Sequence, residues 1–508
     1  MSTESVPSTD EERLAQLGYQ QELHRRLSGF SNFAVSFSII SILAGAITSY
    51  GIAMTAGGPV AITLGWLFVG IMVTFVALAM AEVCSAYPTA GALYWWAAAL
   101  AKQNKAAWAW FVGWFNFLGE VAVTAAIDFG AAITTSAFLS LTFDVTVTPG
   151  RTFLTFLVII IVHGLLNTFG VSLVRVLSDV SAWWHLVGVA VIVVVLAVVP
   201  DHHKPISEVF FEVHNATGFK FAGAGVYVVL LGLLMAQYTY TGYDASAHVA
   251  EETHDAAKAA PRGIVSSVVV SVVAGFVLLV AITWAIQNYD AELNSALKLP
   301  PAQIFIDAVG HNLGTFLLFI CMVAQWFCGM ASVTANSRMS YAFARDGALP
   351  GSRIWKKVNP RTGTPTNSIW LCVTLSTLLV LPSLWNNTAY LAATSIAVIG
   401  LYVAYVGPVL LRRLNPDFKP GPWNLGKWSA PVGWIAIVWV GIICILFVLP
   451  AASPITATNF NYTIFAVLVV LGAATMWWFA SARKWFTGPK QNLIEKAAHG
   501  EQELPAGE

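Results

Sequence analysis

The sequence predicts an all-α integral membrane protein with twelve transmembrane helices. Hydrophobic residues make up 57% of the 508 positions and charged residues only 10%, whereas soluble domains carry about 25% charged residues. The mean hydropathy is +0.70, so a soluble protein of this composition would expose enough apolar surface to aggregate. A membrane helix needs roughly 20 apolar residues, and twelve stretches qualify: 31–55, 59–81, 108–139, 152–170, 180–199, 223–249, 264–286, 313–343, 367–385, 389–410, 430–450 and 462–482.

The basic residues predict the orientation of these spans. With the N-terminus inside, the cytoplasmic connectors and tails hold all but four of the 26 Lys and Arg residues, as the positive-inside rule requires. The four exceptions are Arg151, Lys204, Lys220 and Lys298. The first thirty residues are polar, unlike a cleaved secretory signal. We therefore expect a multi-pass protein of the plasma membrane, in contact with the lipid bilayer and with both termini cytoplasmic.

Composition and motifs argue against several other classes of function. Basic and acidic residues balance at 26 each, so net charge indicates no nucleic-acid partner. The five cysteines lack the spacing of metal ligands. The run 421–428 approaches a P-loop, but Trp428 replaces the required Ser or Thr and no strand precedes it. The sequence thus predicts neither an enzyme nor a cofactor or metal site, and it leaves the oligomeric state open.

The first and sixth spans have glycines and hydroxyl residues at their centres. The first reads Ser41-Ile-Leu-Ala-Gly45-Ala-Ile-Thr48, and the sixth reads Gln237-Tyr-Thr-Tyr-Thr-Gly242-Tyr-Asp244. They are five spans apart and cross in opposite directions, an arrangement typical of an inverted repeat with two broken helices. The alternative is ordinary close packing through small residues.

A broken helix brings backbone polar groups to the membrane centre, where they are tolerated only around a cavity or within protein. We expect the outer half of the first span to begin near Ile47, with N–H groups that suit a carboxylate. The outer half of the sixth span should end near Thr239, with carbonyls that suit an ammonium. One site would then bind a zwitterion, or the cation alone.

Ionisable residues at membrane depth indicate function by default. Asp244 follows the sixth-span break and is a candidate counter-charge for an amine, a cap of the next half-helix, or both. Glu120 lies near the middle of the third span and is a candidate substrate contact, whereas Asp128, on the same face, should lie nearer the outside and face water. His163 and Asn167 are expected to hydrogen-bond to a neighbouring helix.

Three runs resemble signatures of amino acid–polyamine–organocation permeases. They are Ala81-Glu82-Val-Cys-Ser-Ala-Tyr-Pro-Thr-Ala-Gly-Ala-Leu-Tyr-Trp-Trp96, the run 240–253 followed by Pro261-Arg-Gly-Ile264, and Asn336-Ser-Arg-Met-Ser-Tyr-Ala-Phe-Ala-Arg-Asp-Gly-Ala-Leu-Pro350. The last is most similar to the amino acid/choline transporter branch, which includes gamma-aminobutyrate and choline permeases.

The resemblance implies a five-plus-five inverted repeat with broken helices 1 and 6 and two extra C-terminal helices. It also implies alternating access, usually driven by protons, and substrate contacts at both breaks. Asp244 matches an acidic position of the family, and Ala44-Gly45-Ala46 departs from its more usual Gly-Ser-Gly-like break. The implied contacts are Ser41, Ala44, Gly45, Ala46, Ile47, Thr48, Tyr238, Thr241 and Gly242.

The same resemblance divides the chain into six parts. These are a cytoplasmic tail (1–30), the first repeat (31–199), an extracellular loop (200–222), the second repeat (223–410), spans eleven and twelve with a preceding loop (411–482), and a second cytoplasmic tail (483–508).

Two further groups of residues are expected to serve transport. Charge pairs at the inner ends of helices 6 and 8 could latch a cytoplasmic gate; the candidates are Glu251, Glu252, Arg262, Arg338, Arg345 and Asp346. His185 falls close to a lysine that proton-coupled relatives carry in helix 5, so it is a candidate for the coupled proton. Its alternative is a buried neutral His that bonds a neighbouring helix.

The leading hypothesis is a secondary active transporter that imports an amino acid or related amine with a proton. The alternatives are a transporter of choline, another quaternary amine or a polyamine, and a membrane nutrient sensor that binds without translocation.

Overall fold

The computed structural model is a bundle of long apolar helices. It describes residues 9–17, 25, 27–89, 91–386 and 388–489. Within this part of the chain, eleven helices are long and apolar enough to cross a membrane, and a shorter apolar helix, Ala224–Thr239, occupies most of the sixth predicted span. The expectation of a many-span membrane protein is confirmed. The sixth span has no continuous long helix because the backbone leaves the helical path after Thr239.

The elements are numbered in chain order. The helices are α1 (Asp10–Gln16), α2 (Gly29–Ile40), α3 (Ile47–Thr55), α4 (Pro59–Ile62), α5 (Leu64–Ala86), α6 (Ala92–Leu100), α7 (Lys105–Phe143), α8 (Pro149–Phe169), α9 (Val171–Val198), α10 (Ile206–Phe211), α11 (Ala224–Gly232), α12 (Leu234–Thr239), α13 (Ala245–His248), α14 (Ala256–Trp284), α15 (Tyr289–Leu293), α16 (Pro300–Val309), α17 (His311–Arg345), α18 (Ser352–Trp355), α19 (Thr366–Val380), α20 (Ala389–Leu414), α21 (Ser429–Leu446) and α22 (Thr463–Ala480).

Short turns and one strand pair complete the described chain. A π-helical turn covers Ile42–Ala46, and 3₁₀ turns cover Ala250–Glu252, Leu381–Leu384, Gly426–Trp428 and Ala482–Lys484. Strands β1 (Ala56–Gly57) and β2 (His214–Asn215) pair antiparallel. The sequence predicted no strand, and a two-residue pair formed by residues so far apart has no sequence periodicity by which to find it.

Glycines let the central helix α7 approach its neighbours closely. A Cβ at Gly119 would lie 2.6 Å from the backbone N of Leu401 in α20, and one at Gly113 would lie 2.3 Å from the Phe343 ring in α17. Without a strong hydrophobic force between helices in lipid, such close backbone packing drives association. The α7 helix is therefore held among α17 and α20, and most of its length is buried.

The outer helices present their apolar side chains outward. Leu154 on α8, Val187 on α9 and Ile445 on α21 are each about three-fifths exposed or more. Leucine, valine and isoleucine at such exposure fit a hydrocarbon solvent rather than water. These helices form the perimeter that the composition predicted.

Both described ends of the chain lie on one face of the bundle, which we call the terminal face. The Arg13 side chain in α1 donates to the carbonyl of Ser85 (3.1 Å), and the Asp10 carboxylate accepts from the N–H of Asp255 (2.7 Å). Near the other end, Gly347 packs against Trp485. The strand pair and the helices α10, α15 and α16 belong to connectors at the opposite ends of the spans.

Because the two ends share a face, fluorescent proteins fused to either terminus should report the same compartment, which the excess of basic residues indicates is the cytoplasm. A tag inserted in the loop 200–222 should report the other side and serves as the control. Signals from opposite sides for the two terminal fusions would show that the number of crossings is odd and the topology wrong.

Candidate functional site

The first span is interrupted at Ser41. Helix α2 ends at Ile40, Ser41 has φ 37° and ψ 82°, and α3 begins at Ile47, the position expected from the sequence. The Ser41 carbonyl accepts the N–H groups of both Ala44 and Gly45 at 2.8 Å. The predicted contacts on this span, which also include Ala46, Ile47 and Thr48, are all buried. The backbone polar groups of the interruption are thus enclosed by protein, as a membrane interior requires.

The sixth span is interrupted between Thr239 and Ala245. Helix α12 ends at Thr239, also as expected, and Gly242 has φ +91°, which favours glycine. The Tyr240 carbonyl accepts from the hydroxyl of Tyr402 at 3.0 Å. Tyr238 and Thr241, the other predicted contacts here, are buried and linked, since the Thr241 hydroxyl donates to the Tyr238 carbonyl (2.7 Å).

The two interruptions pack against each other. A Cβ at Gly45 would lie 3.0 Å from the Thr239 side chain, where α12 ends. A Cβ at Gly242 would lie 2.1 Å from Cγ2 of Ile39, just before the first interruption. The structure therefore joins two segments about 200 residues apart in the chain at one point, and both glycines are needed for the contact.

Asp244 stands at the N-cap position of α13, but its side chain makes no capping hydrogen bond. Its Oδ1 accepts from the Tyr405 hydroxyl at 2.7 Å, and its Oδ2 lies 3.4 Å from Nε2 of His248. The same Tyr405 oxygen accepts the N–H of Gly242 at 3.2 Å. Of the two interpretations left open for Asp244, the geometry disfavours the helix cap.

Glu120 joins Asp244 and His248 in a buried cluster of two carboxylates and one imidazole. One ligand atom from each residue lies within 4.8 Å of the others. Carboxylate oxygens and an imidazole nitrogen suit a cation, whether a substrate ammonium or a metal ion. His248 was missed in the sequence, although its place four residues after Asp244 puts both side chains on one helical face.

His185 contacts the first interruption directly. It is fully buried, its Nδ1 lies 2.7 Å from the Ser181 carbonyl, and its Nε2 lies 2.5 Å from Oγ of Ser41. A carbonyl only accepts, so Nδ1 carries the proton of a neutral ring and Nε2 accepts from the Ser41 hydroxyl. Protonation would turn Nε2 into a donor and reverse that bond.

A cavity of about 590 Å³ opens on the face opposite the terminal face, and we call it the vestibule. It extends down to Thr48, whose hydroxyl accepts a hydrogen bond from Tyr390 (2.7 Å). Lys298 is the one charged residue in its lining, which lies wholly in the described chain. Of the predicted substrate contacts, only Thr48 lines the vestibule, and the others lie deeper.

The predicted gate residues occupy the terminal face, but they are not all brought together. Asp346 is buried, accepts from the Tyr94 hydroxyl at 2.8 Å, and lies 4.0 Å from Nε of Arg345. The Glu252 carboxylate acts electrostatically on the Arg338 guanidinium. Glu251 is buried in the turn after α13, whereas Arg262 is exposed on α14.

Two other groups that close this face were missed in the sequence. Glu82, 3% exposed, lies 3.4 Å from Arg413 and 3.7 Å from Arg412, and Ser429 donates to it at 2.5 Å. Glu82 and the two arginines are about 330 residues apart in sequence. Nothing in either segment of the sequence predicts that they meet.

The second group is a strap from the N-terminal segment. Arg25 donates to the Thr253 carbonyl at 2.6 Å, and Leu27 pairs with Thr253 in a parallel bridge. Asp10 accepts the N–H groups of Asp255 and Ala256 where α14 begins. The first predicted tail therefore contains structure that ties the ends of α5, α13 and α14 together.

The expectation that Asp128 faces water is wrong. Asp128 is fully buried and lies 3.0 Å from Nδ1 of His163 in α8. The prediction for Asn167 is confirmed, because its amide donates to the Met330 carbonyl (3.2 Å) in α17. Depth along a helix did not reveal which neighbour would cover Asp128.

The family comparison agrees with this architecture. The family model described as amino acid permease matches residues 27–471. The chain belongs to the amino acid permease family, within the amino acid–polyamine–organocation superfamily. It is 42% identical to the amino-acid permease BAT1 of Arabidopsis thaliana over 96% of this chain and 98% of that protein.

Other relatives cover nearly the whole chain as well. The chain is 41% identical to a BAT1 homolog of Oryza sativa subsp. japonica over 96% of each chain, and 28% identical to a putative polyamine transporter of Candida albicans over 100% of this chain and 94% of that one. Membership of this family makes the chain a transporter rather than an enzyme.

The contact between the two interruptions should tolerate no side chain. Gly45→Leu and Gly242→Leu should each abolish substrate binding while the protein still inserts, because the new side chain would separate the two segments. Binding is measured by thermal shift on purified protein. Gly441→Leu on α21 is the matched control, since a Cβ there has nothing within 4 Å. Normal uptake by both test variants would contradict this site.

Removing the charge of Asp244 should lower the affinity for every amine ligand by about tenfold, the usual scale for a lost charge-assisted hydrogen bond. The loss of affinity should be largest at low salt. Asp244→Asn is compared with Asp307→Asn, an exposed carboxylate on α16, in titrations of each purified variant. An Asn caps helices nearly as well as an Asp, so unchanged affinity would restore the interpretation as a cap.

Proposed function

We propose that the chain is a secondary active transporter that imports an amino acid or a related amine by proton symport with alternating access. The observation that carries the proposal is the buried contact between the two interrupted spans. It lies between an open vestibule and a closed terminal face. A transporter needs such a site because access must alternate around a fixed centre.

We infer twelve crossings arranged as a five-plus-five inverted repeat, with the six-part division given above. Two facts support this. The segments α11, α12 and α13 together supply a sixth, broken crossing between α9 and α14. The two described chain ends share a face, which requires an even number of crossings.

The substrate is proposed to bind where the interruptions meet. Its carboxylate would approach the start of α3, where a helix N-terminus favours an anion. Its ammonium would approach the carbonyls at the end of α12, with Asp244 and Glu120 as counter-charges. Tyr238 is proposed as the aromatic gate between this site and the vestibule, since it packs near Tyr390 at a ring separation of 6.3 Å.

The cytoplasmic gate is proposed to be the set of charged contacts on the terminal face. The gate would combine the Glu82 cluster and the N-terminal strap with the predicted residues Glu251, Glu252, Arg338, Arg345 and Asp346. Arg262, which is exposed, would instead add to the positive charge that orients the spans in the membrane. Such contacts are two-state elements, because they form when the gate closes and separate when it opens.

His185 is proposed to carry the coupled proton. Its bond to Ser41 links protonation to the geometry of the first interruption, and an imidazole is a side chain that can both carry and release a proton. The hydroxyls of Ser332 and Thr334, which a sodium site would use, do not face one point, because they contact different helices through Thr124 (2.8 Å) and Asn167 (2.6 Å) respectively. This favours a proton over sodium.

A polyamine or a quaternary amine is the second candidate substrate. The paired carboxylates Glu120 and Asp244 favour a ligand with more positive than negative charge, and a relative carries the name putative polyamine transporter. A nutrient sensor without transport is the third candidate.

A thermal-shift panel of amino acids, gamma-aminobutyrate, choline and polyamines separates the substrate classes. A ligand present at 100 times its dissociation constant should add about 2.7 kcal/mol of stability. Uptake of the labelled hit into proteoliposomes then distinguishes transport from sensing. Binding without uptake would support a sensor, and no binding by any member would contradict all three candidates.

If His185 carries the proton, uptake should rise as external pH falls, and His185→Ala should still bind substrate but lose accumulation against a gradient. Uptake into proteoliposomes with an imposed pH gradient measures both properties. His202→Ala, an exposed His of the 200–222 loop, is the matched control. Full pH-dependent accumulation by His185→Ala would exclude this role, and a requirement for sodium would reject proton coupling.

A further inference from the structure

A second buried titratable couple lies apart from His185. Asp128 on α7 and His163 on α8 are both 0% exposed, and Oδ1 of the carboxylate lies 3.0 Å from Nδ1 of the imidazole. The remaining polar atoms, Asp128 Oδ2 and His163 Nε2, are buried and have no hydrogen-bond partner in the described part of the chain. Neither side chain is needed to explain the substrate site.

Helix α17 covers the Asp128–His163 couple with Gly329 and Trp326, neither of which carries a charge. A Cβ at Gly329 would lie 1.9 Å from Oδ1 of Asp128 and 2.7 Å from Cε1 of His163, so only glycine fits there. The Trp326 ring packs edge-on against the imidazole at 5.1 Å. This wall adds an apolar surface and excludes water, which strengthens electrostatic interactions within it.

The titratable groups that face the couple from the neighbouring helices are a thiol and a phenol. The Asp128 carboxylate acts electrostatically on Cys328 of α17 and on Tyr238 of α12. Within the described chain, His163 is the only basic side chain within 4.0 Å of it. Glu120, two turns away on α7, cannot supply a positive charge to balance it.

Because His163 is the only basic group beside Asp128 in the described chain, a proton on its imidazole is what would neutralise the negative charge of the carboxylate. A bare carboxylate in a dry interior is strongly disfavoured unless it is paired. A proton on His163 converts the couple into an ion pair of zero net charge, and loss of that proton leaves an unpaired negative charge. The couple is therefore suited to take up one proton and to release it when its surroundings change.

The couple is also connected to both interruptions. Cys328 donates from Sγ to the Ile39 carbonyl (3.2 Å), two residues before Ser41. Tyr238 packs near Tyr390, which donates to Thr48 at the base of the vestibule. Phe129, next to Asp128 in sequence, lines the vestibule. Movement of either interrupted span would thus change what covers the carboxylate.

We propose that Asp128 and His163 form a second proton-binding site, which takes a proton from the vestibule side and gives it up towards the terminal face in each transport cycle. The inference rests on the proposed proton symport and adds to it a stoichiometry of two protons per substrate, one at His185 and one at this couple.

The first experiment counts protons and needs no transport. Purified wild type and Asp128→Asn are titrated between pH 5 and 9 in weakly buffered detergent solution. An Asn can still accept a hydrogen bond from Nδ1 of His163, but it cannot form the ion pair. We expect the variant to bind one proton fewer, and an equal count would overturn the proposal. If Asp128→Asn does not fold, the neutral double variant Asp128→Asn/His163→Gln replaces it.

The second experiment measures accumulation in proteoliposomes at zero membrane potential with a gradient of one pH unit. Each coupled proton then supports about tenfold accumulation. We expect about 100-fold accumulation for wild type, about tenfold for Asp128→Asn, and none for His185→Ala or for the combined variant, because the His185 proton is the one linked directly to the first interruption. Asn167→Ala, which removes a neighbouring polar contact without a titratable group, should behave as wild type.

The outcomes separate this inference from the proposed function. Accumulation by Asp128→Asn equal to that of wild type would overturn the second site while leaving proton symport intact. Absence of proton-driven accumulation in wild type would reject the proposed symport and, with it, the two-proton stoichiometry, whereas the proton count would still decide whether the couple binds a proton.

Discussion

The enclosure of irregular backbone inside a lipid-exposed bundle is the constraint on which the rest of this structure depends. Hydrocarbon offers no hydrogen bonds, so an interrupted helix survives only where protein groups cover it. Here the two interrupted spans cover each other, through the contacts of Gly45 with Thr239 and of Gly242 with Ile39. The surrounding helices then complete the enclosure, with Tyr402 donating to a freed carbonyl and Tyr405 accepting a freed N–H.

The same constraint governs the ionisable side chains. Three buried acids are matched to a partner on another helix: Asp244 to Tyr405, Asp128 to His163, and Glu82 to Arg413. Buried charges are costly unless they are paired and hydrogen-bonded. These partners differ in kind, however, because an arginine holds its proton permanently whereas an imidazole can release one. The ion pair of Glu82 with Arg413 at the terminal face is thus expected to keep its charges. The histidines near the centre of the bundle are expected to exchange protons.

The asymmetry between the two faces gives the structure a direction. The vestibule penetrates from one face to Thr48. On the other face the N-terminal strap and the Glu82 cluster join the N-terminal segment to the ends of several helices. A cycle of alternating access would need the contacts of the terminal face to separate as the vestibule closes. The interrupted spans lie between the two faces, and they touch residues that extend towards each face. A shift of these spans can therefore couple closing of the vestibule to opening of the terminal face.

Apolar length, glycine placement and family motifs are local properties of a chain, so the class of protein, its family, the approximate positions of its spans and the residues at which two of them break could be predicted from the sequence. Ile47 and Thr239 are examples. Which distant residues meet could not be predicted and is seen only in the folded structure. It turned Asp128 from an expected water-facing group into a buried partner of His163, added His248 to Glu120 and Asp244, and paired Glu82 with arginines about 330 residues away. Partner choice in a membrane bundle depends on how helices rotate and pack, and no spacing along a single helix encodes that.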